Sequence, residues 1–306
     1  MSSGNSVWRC WLVALLAQAV PLPLVLAESP SLPADADQKP AAKSSVEPVQ
    51  VANRLVEPLA PNASQAPKLQ ASADGEHPLL PAVRWAREGL AGIEALKDYS
   101  AIMVKRERVN GKVGEHEYIF TKIRTKPFSV YLYFLAPAGL KGQEVIFVDG
   151  QNDGKMWAHT TGVKDKLFGT VSLKPDGMLA MQGQRYPLTE IGLLNMVRRL
   201  IEVGEQDMNY GECETKFIPK TKINDRSCTC IQVVHPVPRR NFLFHVARIF
   251  VDEEYNVPVR YESHDWPKEP GGTPELIEEY TYLNLKFNNG FTDADFDIRN
   301  PNYHFR

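Results

Sequence analysis

Residues 127–137 read PFSVYLYFLAP, and this stretch decides the fold. Side chains of a β-strand point alternately to its two faces. One face would contain four large apolar residues, Phe128, Val130, Leu132 and Phe134. The other face would contain Ser129, Tyr131, Tyr133 and Leu135. A strand with one face in water should be polar on that face, yet only Ser129 is plainly polar here. The stretch therefore predicts a strand whose second face also meets some surface.

The segments on either side of this strand alternate in the same way. Before it, residues 99–125 hold two strands around Asn110-Gly111, a dipeptide typical of hairpin turns. After it come three short strands within QEVIFVDG (143–150), GKMWAHTTG (154–162) and KLFGTVSL (166–173). Gly, Pro, Asp or Asn bounds each segment. The pattern predicts an antiparallel meander.

Two segments show helical periodicity instead. The first runs from Leu79 to Lys97, and the second from Tyr186 to about Val203, with Pro187 in its first turn. The apolar stripe of the second helix is unusually wide, which indicates contact with more than one element. Five more strand-like segments lie in residues 213–287. The last residues, 291–306, contain a capping threonine, Thr292. Phe296, Ile298, Tyr303 and Phe305 are predicted to dock as an extended edge.

About ten strands and two helices limit the architecture. A sheet of that size has to curl, and two helices are too few to cover both of its faces as in a doubly wound fold. The sequence therefore predicts an α+β domain, a strongly curved antiparallel sheet with both helices in its concavity. A helix, a ligand or both would then cover one face of the strand in residues 127–137.

The chain before this domain has a different composition. Residues 1–27 contain Arg9, an apolar run and a small-residue cleavage signal ending at Ala27, the layout of a secretory signal peptide. An uncleaved anchor is the alternative. Residues 28–78 are rich in Pro, Ala and Ser without an aromatic residue, so they cannot bury enough apolar surface to order themselves. We predict a signal peptide (1–27), a disordered tether (28–78) and a folded domain (79–306) of an exported protein.

Charge and cysteine content narrow the function classes. With 35 basic and 37 acidic residues the chain has a formal net charge of −2, which disfavours a nucleic-acid partner. Cys228 and Cys230 are too close along one strand for an easy mutual disulfide. A bridge from Cys213 and three half-buried thiols both fit the sequence.

The order of these elements resembles a known superfamily. It includes the hairpin, Lys126-Pro127, the strand ending near Pro137, VIFVDG (145–150), a strand with Trp157, a Pro-opened helix, a second meander and FTDADFDIRNPNYHF (291–305). This order is similar to the LolA/LolB-like lipoprotein-carrier superfamily, and within it to an uncharacterised secreted branch, a domain of unknown function. The resemblance covers about residues 80–306. It implies an unclosed β-barrel, covered by helices, that holds acyl chains in the periplasm or cell envelope of a bacterium.

The resemblance also implies roles for individual residues. The side chains that would line or plug the cavity are Phe128, Val130, Leu132, Phe134, Leu194, Val197 and Leu200. The carriers have an arginine that bonds the helical lid, and Lys126 stands at the matching position here. Lysine lacks the planar fork of arginine, so lid closure by that contact is in doubt.

The sequence contains few motifs that are typical of catalytic or metal-binding sites. The seven histidines show no metal-ligand spacing, and no G-x-S-x-G nucleophile motif is present, so no metal and no cofactor is expected. His264-Asp265 is a histidine–carboxylate pair of the kind that can support catalysis. Arg239 and Arg240 would either meet anionic lipid headgroups or form a solvated hairpin tip.

The sequence therefore predicts a non-catalytic carrier or sensor of a lipid or an acylated protein. Burial of each CH₂ group contributes about 0.8 kcal/mol, so binding needs no catalytic group. The envelope membrane or its lipoproteins would be partners. Two alternatives stay open: a structural cell-envelope protein with a self-filled core, and a hydrolase that uses His264 and Asp265.

Overall fold

The computed structural model describes residues 75–161 and 169–305. The predicted signal peptide, nearly all of the predicted tether and the start of the strand predicted in residues 166–173 lie outside the described residues. Within these ranges the two α-helices are α1 (Leu80–Glu94) and α2 (Leu193–Asp207). The strands are β1 (Asp98–Val109), β2 (Lys112–Val113), β3 (Glu117–Arg124), β4 (Ser129–Ala136), β5 (Glu144–Val148), β6 (Met156–His159), β7 (Thr170–Leu173), β8 (Glu214–Ile223), β9 (Arg226–Val234), β10 (Val246–Asp252), β11 (Pro258–His264) and β12 (Leu276–Phe287).

All strands belong to one antiparallel sheet. Its order is β7-β6-β5-β4-β3-β1-β12-β11-β10-β9-β8, and β2 pairs only with β1. The end strands β7 and β8 do not pair with each other, so the sheet is not closed. The long strands β1 and β12 pair at its centre and join the two meanders. The predicted α+β fold, a curved and unclosed antiparallel sheet with two main helices, is confirmed.

The two helices pack against each other and share the main core with the sheet. Gly204 allows their close approach, because a Cβ atom there would lie 2.7 Å from Cγ2 of Val83. Ion pairs between Arg87 and Glu205 and between Arg198 and Glu94 join their exposed sides.

The start of α2 differs from the prediction. Pro187 precedes a short 3-10 turn, Leu188–Glu190, and the α-helix begins only after Gly192, whose φ is 103°. The hydroxyl of Tyr99 accepts the N–H of Leu193 at 2.8 Å, and that of Tyr282 accepts the N–H of Gly192 at 3.2 Å. Two buried tyrosines of the central strands therefore satisfy amides that a helix start leaves without intrahelical partners.

Strand β4 separates two hydrophobic cores. Val130 and Leu132 face the helices and belong to the main core. On the other face, Tyr131 packs in a second core with Phe296, and its ring stacks on that of Tyr303 with 4.1 Å between centroids. The second face of β4 is therefore covered by the C-terminal segment, residues 291–305, which crosses the sheet instead of extending its edge as predicted.

Polar contacts anchor the C-terminal segment. The buried carboxylate of Glu144 accepts the backbone N–H of His304 at 3.0 Å and contacts its ring Nδ1 at 2.6 Å. The Lys122 ammonium donates to Asp295 at 2.9 Å and lies 5.5 Å from the ring centroid of Tyr303. Thr292 stands at the N-cap of a short 3-10 turn, Asp293–Phe296, as predicted, and the Asp295 carboxylate accepts both the N–H and the hydroxyl of Thr292.

Candidate functional site

A cavity of about 1260 Å³ lies between the helices and the concave face of the sheet. Its volume exceeds the roughly 300–1,000 Å³ of ordinary ligand sites. Side chains from α1, from α2 and from both halves of the sheet line it, and residues 174–187, between β7 and the 3-10 turn, form part of its rim. The two helices therefore occupy only part of the concavity.

Three of the seven side chains predicted for this cavity line it: Leu132, Phe134 and Leu200. Phe128 and Leu194 border a separate void of about 30 Å³. Val130 and Val197 are buried in the main core and line neither space. Ile191 and Leu194, near the start of α2, border the small void together with Phe128, whereas Leu132 and Phe134, farther along the chain, line the open space. Contact of these residues with a ligand stays a prediction.

Strands outside the quoted stretch supply most of the apolar wall. The side chains that sequence reasoning did not assign to the cavity include Val145, Met156, Ala158, Val171, Leu173, Ile231, Val233, Ala247 and Ile249. In each strand they alternate with residues that point to the other face. That alternation could have identified the residues on the concave face of the sheet. It could not have shown which of them the helices cover and which line the cavity.

One end of the cavity is polar. Along the pairing of β1 with β12, the inward residues form the pairs Met103–Tyr282, Lys105–Tyr280 and Glu107–Glu278. The last pair places two carboxylates directly opposite each other, an arrangement that is destabilising unless cations compensate it. Glu107 is 8% exposed and Glu278 5% exposed. We call Lys105, Glu107, Gln184, Arg185, Tyr186, Glu278 and Tyr280 the polar end.

Arg185 bridges the two carboxylates of the polar end. Its backbone N–H donates to Glu107 at 3.0 Å, and its guanidinium Nε donates to Glu278 at 2.8 Å. The hydroxyl of Tyr280 donates to Glu107 at 2.6 Å, and that of Tyr186 to Glu278 at 3.2 Å. Burial raises the pKa of Glu278 above its ordinary value.

Lys105 is the buried cation of the polar end, with its side chain 8% exposed. Its ammonium lies 3.5 Å from Glu107 and 3.4 Å from Glu117, and it donates to the amide oxygen of Gln184. Burial raises the pKa of Glu117, which lies behind Lys105. Each cation here already has a carboxylate partner.

A second buried polar contact borders the cavity at the end of α2. Asp207 lines the cavity, and its Oδ2 lies 3.4 Å from Nε2 of the fully buried His235 without a hydrogen bond between them. Nδ1 of His235 contacts the carbonyl of Phe244 at 3.1 Å. Burial raises the pKa of Asp207 to about 6 and lowers that of His235. Both shifts favour the neutral forms, so we interpret the contact as a desolvated pair, not as an ion pair.

The predicted polar contacts fall at the surface. Lys126 is exposed and makes no hydrogen bond or ion pair with the rest of the described chain, so Tyr99 and Tyr282, not Lys126, hold the start of α2. Arg239 is paired with Glu212. Arg240 is exposed and has no such partner among the described residues, which leaves it as the freer of the two arginines for the predicted headgroup contact.

The structure does not bring His264 and Asp265 together. The Asp265 carboxylate is paired with Arg108 at 2.5 Å and accepts the N–H of Trp266. Nδ1 of His264 is buried without a hydrogen-bond partner in the described part of the chain. The hydrolase alternative thus lacks the pair on which it depended.

Other chemistry is sparse in the described ranges. No group of three or more His, Cys, Asp or Glu residues there is placed to hold a metal ion. Cys213, Cys228 and Cys230 are buried free thiols, and burial raises their pKa values to about 11, 11 and 12. No helix within these ranges is both long and apolar enough to cross a bilayer.

Solved structures with a similar chain trace include three bacterial proteins. A DUF1329 family protein from Desulfovibrio piger is 13% identical, with a TM-score of 0.36, over 72% of this chain and 98% of that one. A LolA superfamily protein from Nitrosomonas europaea is 10% identical, with a TM-score of 0.29, over 69% and 97%. The lipoprotein LppX of Mycobacterium tuberculosis is 11% identical, with a TM-score of 0.41, over 71% and 100%.

A LolA superfamily structure is thus among the matches, in line with the resemblance predicted from the sequence. With TM-scores below 0.5, these likenesses say nothing about a ligand. No curated protein matches this chain. The family model for proteins of unknown function DUF1571 matches residues 96–305, more than half of the sequence, and the chain belongs to that family.

Proposed function

We propose that this protein is an exported, non-catalytic carrier or sensor that binds a lipid or the acyl chain of an acylated protein in the cavity between sheet and helices. The bacterial envelope, periplasm included, would be its location, and the envelope membrane or lipoproteins would be its partners. The observation that supports the proposal most is the 1260 Å³ of space that the two helices leave open.

Apolar burial would provide the affinity. Leucine, valine, isoleucine, methionine and phenylalanine side chains from both halves of the sheet line the cavity. Each CH₂ group of an acyl chain that moves from water into such a space contributes about 0.8 kcal/mol. The structural-protein alternative requires a self-filled core, and the open volume argues against it.

Binding of Nile red, a neutral and apolar fluorescent dye, tests the proposal. We expect the full chain to bind the dye with a blue-shifted emission, since the dye would leave water for an apolar wall. Val171→Trp should weaken dye binding at least tenfold, because Val171 of β7 lines the cavity and a larger side chain would fill part of it.

Ser172→Trp is the matched control. Ser172 is the next residue of the same strand, is exposed, and does not line the cavity, so this variant should bind the dye as the unmodified chain does. Equal losses in both variants, or no dye binding by the unmodified chain, would contradict the proposed function.

A further inference from the structure

We infer that the polar end of the cavity selects an amphiphile whose head is uncharged and rich in hydroxyl or ester oxygens, and that it disfavours lipids with an anionic head. This inference rests on the proposed function, because it concerns the head of a molecule whose tail occupies the apolar part of the same cavity. It follows from the charges, the burial and the position of the polar end.

The charges that line the polar end cancel. Lys105 and Arg185 supply two positive charges, and Glu107 and Glu278 supply two negative charges. Glu117, which pairs with Lys105 from behind, does not line the cavity and is not part of this count. Arg198 and Arg199, which also line the cavity, are paired with Glu94 and Glu202. Each of these four lining cations is thus already paired, and none is left over to neutralise a phosphate or carboxylate brought in by a ligand.

The charge balance of the polar end affects binding because the charged side chains are buried. The side chains of Lys105, Glu107 and Glu278 are 7 to 8% exposed, and a charge moved from water to such a place is costly unless it is paired. An anionic head would stand unpaired beside Glu107 and Glu278. A cationic head would lie beside Lys105 and Arg185. The carboxylates that could pair with it, Glu107 and Glu278, already pair with those two residues.

An uncharged head avoids this penalty and still finds partners. Tyrosine hydroxyls both donate and accept, and a glutamine amide does the same through two different atoms. The hydroxyls of Tyr186 and Tyr280 already donate to Glu278 and Glu107, and the amide oxygen of Gln184 accepts from Lys105. The two hydroxyl oxygens therefore remain as acceptors for the head, and the amide NH₂ of Gln184 remains as a donor. Hydroxyl and ester oxygens of the head could therefore replace their hydrogen bonds to water with hydrogen bonds to these side chains, without adding a net charge to the polar end.

The position of the polar end fits a lipid head. Glu107 lies near the end of β1 and Glu278 near the start of β12, and Arg185, whose side chain is 31% exposed, connects them to residues 174–187 of the rim. The apolar wall extends away from this point along β5, β6 and β7. A tail in the apolar part would leave its head at the polar, solvent-accessible end.

Displacement of Nile red by three lipids with identical dioleoyl chains tests the inference on the full chain. We expect dioleoylglycerol, which is neutral, to displace the dye at a concentration at least tenfold lower than anionic dioleoylphosphatidylglycerol or the cationic trimethylammonium analogue. Equal or better displacement by either charged lipid would overturn the inference while leaving dye binding, and thus the proposed function, intact. Absence of dye binding would overturn both.

Two variants test whether the polar end is responsible. Glu278→Gln leaves one surplus positive charge and should improve displacement by the anionic lipid about tenfold. Arg185→Gln, which keeps the backbone N–H bond to Glu107, leaves a surplus negative charge and should improve displacement by the cationic lipid to a similar extent. An unchanged order of preference in Arg185→Gln would overturn the inference.

Glu262→Gln is the matched control. Glu262 is a buried glutamate of the same sheet, paired with Arg260 and Arg248, but it does not line the cavity. This variant removes one carboxylate without changing the charge at the polar end, and it should keep the order of preference of the unmodified chain. A shift as large as that of Glu278→Gln would show that general destabilisation, not the polar end, causes the change.

Discussion

At the scale of single residues, Asp207 makes stability depend on pH. Its pKa is raised from 3.8 to about 6 in the folded chain. Below about pH 3.8 the carboxyl is protonated in both the folded and the unfolded state, so it does not lower the free energy of unfolding. As the pH rises through 6, the folded state loses the stability that the protonated group supplied. The change in pKa from 3.8 to about 6 corresponds to about 3 kcal/mol in the free energy of unfolding.

Asp207→Asn should remove this dependence. Relative to the unmodified chain, we expect the variant to gain about 2 to 3 kcal/mol in free energy of unfolding between pH 4 and pH 7.5, measured by urea denaturation. Asp225→Asn, at an exposed turn position, should show no such trend. A constant difference between Asp207→Asn and the unmodified chain at all pH values would contradict the assignment.

The sequence made only part of the polar end predictable. The alternation in β1 groups Ala101, Met103, Lys105 and Glu107 on one face, so two charged residues beside a core position were visible in the sequence. Their partner Glu278 was not, because the register of β1 on β12 joins residues 171 positions apart. From the sequence, Arg185 belongs to a loop between two elements. Only the folded structure shows that it bonds the carboxylates of both Glu107 and Glu278.

At the scale of elements, the contact of α1 with α2 depends on a missing side chain. In Gly204→Ala the new Cβ atom would lie 2.7 Å from the stiff Val83 side chain, and overpacking of this kind costs about 1 to 3 kcal/mol. The improved helix propensity recovers at most about 1 kcal/mol. We expect a net loss of about 1 kcal/mol in free energy of unfolding, measured by thermal or urea denaturation, and no such loss when Gly204→Ala is introduced into Val83→Ala, whose shorter side chain removes the clash.

Gly89→Ala provides the comparison within α1. No atom lies within 4 Å of a Cβ built at Gly89, so only the propensity gain remains, and this variant should be stabilised by up to about 1 kcal/mol. If Gly204→Ala were stabilised by the same amount, the two helices would not approach each other as closely as described.

The C-terminal segment acts as a cover for the outer face of β4 and β5. Phe296 is 3% exposed and packs in the second core with Tyr131, Ile146 and Val148. Phe296→Ala should therefore reduce the free energy of unfolding by about 3 to 4 kcal/mol. Asn302→Ala, at an exposed position of the same segment, should change it by less than about 0.5 kcal/mol.

The element scale also shows where sequence reasoning stops. The strands, the two helices, the Thr292 cap and the alternation of β4 were all predictable from local patterns. The path of residues 291–305 was not, because an aromatic-rich tail can pair along an edge or cross a face, and the choice depends on distant partners such as Glu144 and Lys122. The start of α2 was misplaced for the same reason, since Tyr99 and Tyr282 lie about 90 positions away.

At the scale of the whole molecule, the unclosed sheet of twelve strands in the described part of the chain needs more apolar cover than the two fifteen-residue helices described there provide. The sequence predicted this excess of sheet over helix, but it did not reveal which part of the concave face stays open. Val130 is buried in the main core, whereas Leu132 and Phe134 of the same strand lie beside the cavity. The remaining space is the central feature of our account.

Native mass spectrometry of the full chain, isolated in mild detergent from a bacterial cell envelope, tests this feature most directly. We predict a population heavier than the bare chain by the mass of one lipid, which organic extraction removes and which Val171→Trp reduces relative to Ser172→Trp. A spectrum that shows only the bare chain, with the fold intact and no lipid taken up from added vesicles, would contradict the account.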